Sequence, residues 1–455
     1  MTAARTVRLG AGAGFAGDRI DPAVELAREA RPDYLVFECL GERTVAAGHA
    51  RRLTDPDAGF DPLLAARLRA VLPHCHAAGT TVVTNSGAAN PEAAGDCASR
   101  VAGESGIDAR VAVVTGDDVL DLVRTLDPVV WETGTPLSEV GEELISANAY
   151  LGAEAVADAV ASGADVVVTG RVADPALYLG PLRYEFGWGA GDHELLGKGT
   201  LVGHLLECAG QLTGGYFADP ITKPVPNPAR LGFPFADVGA DGAAVFGKPD
   251  GSGGRLDRRT CGEQLLYEVD DPAAYVTPDV VADFSGVTFA DTGPDRVTAR
   301  GATGGPRPDG LKVTLGFRGG WLGEGQLTYA GPRCLDRARL AADIVCERLV
   351  AVHSLPEDAV EVEYIGAGAA LRGLAPAADP AEVRLRVSAR VPSAAAADAV
   401  GWEVESLYTN GPAGGGGARS SVTEVVAVRS CVVPRAQVRP RVTVIGSRPA
   451  RRGAP

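Results

Sequence analysis

Asp165-Val-Val-Val-Thr-Gly-Arg-Val-Ala-Asp-Pro175 reads as a short buried strand that runs out into a loop of chemistry-bearing residues. A continuous valine run without polar alternation is the pattern of a strand covered on both faces. The pattern recurs along the first half of the chain. Thr6–Leu9 leads into Gly10-Ala-Gly-Ala-Gly-Phe-Ala-Gly-Asp-Arg19, and Tyr34–Phe37 into Glu38-Cys-Leu-Gly-Glu-Arg-Thr44. Thr80–Thr84 leads into Asn85-Ser-Gly-Ala-Ala-Asn-Pro91, and Val111–Thr115 is a fifth strand core. In a parallel α/β sheet such loops gather at the carboxyl edge of the strands, where ligands bind. Four loops of glycines, carboxylates, amides and arginines on one edge point to an enzyme.

Between the strands stand helix-start signals. Asp21-Pro22, Asn90-Pro91-Glu92 and Asp174-Pro175 each pair an N-cap residue with a proline that suits the first turn. The last two open helices expected through Gly103 and Phe186. Three helix N-termini aimed at one crevice would bias it toward an anion.

The pattern then changes. Residues 216–254 are rich in proline and glycine and read as a long irregular stretch, and Val287–Ala330 as short antiparallel strands. Cys334–His353 is an amphipathic helix. Glu361–Ile365, Val383–Val391, Val422–Val433 and Val442–Ile445 read as strands, with a helix at Ala394–Tyr408. The expected fold is therefore α/β: a mostly parallel sheet with flanking helices in the N-terminal half, followed by an antiparallel β segment and a C-terminal α+β (ferredoxin-like) layer. The matching segments are 1–215, 216–355 and 356–446, with 447–455 a disordered tail.

Composition narrows the function. A net charge of −15 argues against nucleic-acid binding, which needs a positive face. No apolar run reaches the roughly 18 residues of a membrane span, and the first residues lack a signal-peptide core, so a cytoplasmic protein is expected. The eight cysteines form no C-x-x-C pair, so neither a zinc ribbon nor a redox motif is expected. Cys39 and Cys208, beside carboxylates, are faint nucleophile candidates.

Gly12-x-Gly14-x-x-Gly17, with Glu38 at the end of the next strand, has the spacing of a dinucleotide fingerprint. Asp18 and Arg19 fill its junction, however, and the helix signal comes only at Asp21. NAD(P) is thus less expected than a tight loop near another anionic ligand. Gly170, Arg171 and Asp174 read either as a helix cap with a salt-bridged arginine, or as an anion clamp beside an acid–base carboxylate. His204 and Glu207 share a helix face, as a general base with its orienting partner, as metal ligands together with Asp174, or as a structural hydrogen bond. Glu38, Glu42 and Arg43 offer paired carboxylates, unless Glu42 and Arg43 merely form a surface ion pair. Asn85 and Asn90 can polarise a carbonyl or simply shape their turn. Asn410-Gly-Pro-Ala-Gly414-Gly415-Gly-Gly417 reads as a linker or a phosphate-cradling loop. No residues are assigned to a metal, and whether one is used is left open.

Taken together, these strings resemble the acyclic terpene utilisation (AtuA-like) family. The resemblance rests on Gly-Ala-Gly-Phe-Ala-Gly-Asp-Arg-Ile-Asp-Pro-Ala (12–23), Tyr-Leu-Val-Phe-Glu-Cys-Leu-Gly-Glu-Arg-Thr (34–44) and Asn-Ser-Gly-Ala-Ala-Asn-Pro (85–91). Thr-Gly-Arg-Val-Ala-Asp-Pro (169–175), the run from Gly203 to Pro220, and Tyr-Thr-Asn-Gly-Pro-Ala-Gly-Gly-Gly-Gly (408–417) extend it. The resemblance implies metabolism of acyclic terpene or branched-chain acids as CoA thioesters, and the crevice of helix N-termini, glycine loops and paired carboxylates adds an expectation of acid–base chemistry of hydratase, lyase or isomerase type. The CoA thioester would be a substrate moiety. From the residues themselves, acid–base work is expected of Glu38, Asp174, His204 and Glu207, anion contacts of Arg19, Arg43 and Arg171, and polarisation of a carbonyl of Asn85. Longer relatives carry an added C-terminal module with an Ala-Arg-Ser-Gly-Asp-Lys-Gly-Asp-type motif that is missing here. Its activity would then come from a separate partner. Alternatives are a nucleotide-dependent oxidoreductase and a non-catalytic partner of an acyl-CoA carboxylase; a homo-oligomer is left open.

Overall fold

The computed structural model describes residues 5–372 and 380–446 of the chain; the tail expected at 447–455 lies outside them. The described residues form two compact units, the first of 5–316 with 428–446 and the second of 317–372 with 380–427.

The first unit is built on a ten-stranded mixed sheet. Its centre is five parallel strands in the order Thr6–Ala13, Tyr34–Phe37, Thr81–Thr84, Val166–Thr169 and Val111–Thr115. These are the valine-rich runs, and almost every side chain in them is buried, as strands covered on both faces must be. The first three strands follow chain order. The chain then passes to Val111–Thr115 and comes back to insert Val166–Thr169 between the two. Helices Asp21–Glu29, Leu64–Ala78 and Pro91–Glu104 pack on one another, as do Ala153–Ala161, Ala176–Phe186 and His193–Leu206. Right-handed crossovers put these two sets on opposite faces. The order therefore reverses between Thr81–Thr84 and Val166–Thr169, and their carboxyl ends flank the switch point of the sheet.

Four antiparallel strands extend one side, in the order Phe235–Gly239, Ala244–Gly247, Arg296–Arg300 and Thr288–Gly293. The stretch 216–254, expected to be irregular throughout, thus contributes two sheet strands from its second half. Arg441–Ile445 closes the other side, antiparallel to Val111–Thr115. It was grouped with the C-terminal layer on local pattern; a partner some three hundred residues away leaves no local trace.

The second unit has the β-α-β-β-α-β order of a ferredoxin-like layer. Its sheet has the order Val360–Ile365, Glu382–Val391, the part of Gly310–Ala330 from Phe317 on, and the part of Gly415–Pro434 up to Ala427, with helices Cys334–Ala351 and Ala394–Asn410. The expected layer began at 356. The strand ending at Ala330 and the helix after it complete it, because Trp321–Ala330 pairs with Glu382–Val391. Leu327, Tyr329, Val345, Leu385, Val387, Val400 and Val404 form its core.

Candidate active site

Loops from the parallel strands meet at the switch point. Asn85, just beyond Thr84, accepts the backbone N–H of Cys39 through Oδ1 (2.7 Å) and donates through Nδ2 to Glu38 Oε1 (2.9 Å). The same Glu38 oxygen accepts the N–H of Leu40 at 2.7 Å. Asn85 therefore positions Glu38 and is not itself turned to a ligand. Glu38 is 8% exposed. Burial and the neighbouring Asp174 charge raise its pKa to about 8, against the pull of its hydrogen bonds and of Arg171.

Arg171 is buried and uses its donors within the protein. Nε donates to Val172 O (2.8 Å), and the two Nη atoms reach Leu40 O and Asp174 Oδ1. Its guanidinium lies 4.4 Å from the centre of the Tyr150 ring. The arginine is thus a buried counter-ion that ties the loop after Phe37 to the loop after Thr169. Asp174 makes no side-chain cap to the helix that follows, and Pro175 occupies the N-cap position. Of the three cap signals only Asn90 acts as one, accepting the N–H of Ala93 at 3.4 Å while its Nδ2 binds Pro56 O and Ala58 O. Asp21 is itself the first helical residue.

The Asp174 side chain is 37% exposed and forms part of a cavity wall. Burial in that wall raises its pKa, outweighing the Arg171 charge beside it. The cavity holds about 430 Å³. Glu42, Lys312, Glu268 and Thr277 add polar groups, and Trp131, Tyr150, Tyr275, Val276, Leu311 and Val432 supply an apolar lining. Glu42 does not pair with exposed Arg43. It accepts Tyr150 Oη at 2.5 Å and Lys312 Nζ at 3.1 Å. Burial works against its ionisation, but these donors hold its pKa down at about 2. Glu42, Tyr150 and Lys312 form a fixed polar group facing the cavity beside the Asp174 carboxyl, whose pKa is raised.

Asp117 supports this arrangement from beneath. Its Oδ2 accepts the N–H of Arg171 (2.8 Å) and Asn148 Nδ2 (2.9 Å), and Asn148 Oδ1 meets His49 Nε2 at 2.9 Å. Burial raises the Asp117 pKa to about 6, partly offset by those hydrogen bonds. Sequence reasoning missed Asp117, although Gly116-Asp117-Asp118 follows a strand in the same way as the other loops. It also missed Tyr150, Lys312 and Trp131, which carry no local signal.

His204 and Glu207 lie close by but outside the cavity lining. His204 Nδ1 faces Glu207 Oε1 (3.0 Å), and Nε2 faces Leu265 O (3.1 Å). A carbonyl only accepts, so Nε2 carries a hydrogen, and one further proton is shared between Nδ1 and Glu207. Burial raises the Glu207 pKa to about 7; the histidine's is also raised, its partners outweighing burial. The Tyr275 ring, which does line the cavity, lies tilted against the imidazole with ring centres 5.1 Å apart.

The glycine fingerprint serves packing. A Cβ on Gly12 would meet the Phe37 ring at 2.8 Å, one on Gly14 the Cys208 backbone at 2.5 Å, and one on Gly17 the Phe15 ring at 2.7 Å. Asp18 takes the Gly14 N–H itself (2.9 Å), and Arg19 reaches the carbonyls of Pro228 and Ala229. Cys39 and Cys208 have thiol pKa values pushed well up by burial, unlike activated nucleophiles. Asn410, Gly414 and Gly415 belong to the second unit. Asn410 Nδ2 binds Ser406 O (3.0 Å), and Gly415 packs against Leu327 and Tyr329. Among the described residues, no group of three or more His, Cys, Asp or Glu is placed to hold a metal ion. Among them, too, no helix is long and apolar enough to cross a membrane.

The fold and site define a mixed α/β protein with a buried carboxylate–arginine cluster opening into an apolar-lined cavity at the carboxyl edge of its parallel strands. The chain belongs to the acyclic terpene utilisation family, AtuA, whose model matches residues 7–444. No curated protein and no solved structure matches it significantly.

Proposed function

We propose that this protein is an acid–base catalyst acting on a branched acyclic acid or its thioester, with Asp174 as the group that moves the proton. The observation that carries the reading is the placement of Asp174: a carboxyl with a raised pKa, held by buried Arg171 in the wall of an apolar-lined cavity. The family's description, acyclic terpene utilisation, agrees with a substrate whose body is apolar and whose reacting end is polar.

In this reading Asp174 takes a proton from the carbon next to the carbonyl, the electron pair moves to the carbonyl oxygen, and the proton is later returned. Lys312, facing the same cavity, balances the charge that develops on that oxygen. Glu38 beneath holds a second proton and keeps Asp174 from facing a doubly ionised pair.

The test is hydrogen–deuterium exchange at that carbon, followed by NMR in deuterium oxide with branched acids and their thioesters. Wild-type protein is expected to catalyse exchange and Asp174→Asn to lose it by about 10²- to 10⁴-fold. Exchange at the wild-type rate in the Asn variant would remove Asp174 from the mechanism.

A further inference from the structure

Trp131 stands on a tight loop. Val130 N–H donates to Thr135 O (2.9 Å) and Gly134 N–H to Val130 O (2.8 Å). The loop is bound to a neighbouring strand: Trp131 N–H donates to Ser430 O (2.9 Å), and Ser430 N–H returns to Glu132 Oε2 (2.9 Å). The backbone is fixed, yet the indole is 56% exposed. Two further cavity residues share this state, Val276 at 62% and Val432 at 42%. Large apolar side chains that stay in water, on separate anchored elements around one cavity, mark a surface completed by a ligand.

We infer that Trp131, Val276 and Val432 form the rim that receives the aliphatic chain of the ligand and sets the chain length and branching the site accepts. The inference rests on the reading of this cavity as a substrate site. Continuity supports it, since the same three side chains line the cavity that contains Asp174 and Lys312. The chemistry of the occupant follows: a saturated or unsaturated hydrocarbon chain attached to a polar head. A rigidly mounted indole gives a large apolar contact at little entropic cost.

The test is calorimetric titration of the full chain with hexanoic, octanoic, decanoic and 3,7-dimethyloctanoic acids as probes. Each added methylene is expected to tighten binding to wild-type protein roughly fourfold. In Trp131→Ala the gain per methylene falls below about twofold, and Val276→Asp, on a different element, gives the same loss. Equal gains in both variants and wild type overturn the inference, as does wild-type binding that is absent or indifferent to chain length. Asp174→Asn is expected to keep the gain per methylene. Loss of the gain at Trp131 with exchange still dependent on Asp174 supports both statements. Chain-length selection intact in Trp131→Ala sinks only the rim, and exchange intact in Asp174→Asn sinks only the acid–base reading.

Discussion

Glu38 shows how burial converts an ordinary carboxyl into a proton store. Its pKa is raised to about 8 in the folded protein, first by burial and then by Asp174. The unfolded chain releases that proton near pH 4.3, while the folded one keeps it up to about 8. Folding therefore becomes less favourable as pH rises through that window, at a limiting ~1.4 kcal/mol per pH unit, and levels off above it. Glu38→Gln cannot ionise, so between pH 5 and pH 8 it should lose less stability than wild type, by several kcal/mol. Urea titrations at the two pH values check this; equal losses would mean that Glu38 is ionised throughout. Glu38 and Asp174 were legible as candidates because they lie in loops that follow buried strands. Arg171 was legible both as a residue and as the salt-bridge partner of Asp174, whereas Asn85 was legible as a residue but not in its role, since an amide is committed by neighbours that local sequence does not reveal.

At the scale of elements, the site depends on how closely loops approach. A Cβ on Gly170 would stand 2.5–2.6 Å from the carboxylate oxygens of Asp117. Gly170→Ala must therefore push away the carboxylate that holds the Arg171 backbone. We expect it to cost about 1–3 kcal/mol of stability and to reduce exchange activity well beyond what that loss explains. Thermal unfolding and the exchange assay, read together, check it; an unchanged midpoint would show that the loop gives way freely. The parallel strands and the helix at Pro91–Glu104 were readable from valine runs and an Asn-Pro start. Asp174 misled as a cap because Arg171, three residues earlier, outcompetes the helix N–H groups for its carboxylate.

At the scale of the whole molecule, the cavity is assembled from pieces far apart in the chain. Glu42, Trp131, Tyr150, Asp174, Tyr275, Lys312 and Val432 come from seven separate segments. Sequence reading found Glu42 and Asp174 because the sheet's carboxyl edge announces itself. It had no means to find Lys312 or Trp131, whose place depends on long-range pairing. One example is the Tyr150 N–H donating to Lys312 O at 2.9 Å. The ferredoxin-like character of the second unit was visible in its strand and helix pattern. Its starting point was not, because Gly310–Ala330 finds its partner only across the chain.

The account turns on Glu38 holding its proton to about pH 8 because it is buried and faces the Asp174 carboxylate beside one buried arginine. Carbon-13 NMR titration of labelled glutamate carboxyls measures this directly. A Glu38 carboxyl carbon titrating near pH 8, and moving to lower pH in Asp174→Asn as the neighbouring negative charge is removed, is the predicted result. A Glu38 carboxyl that titrates with the ordinary glutamates near pH 4.3, or that ignores the Asp174 substitution, would contradict it.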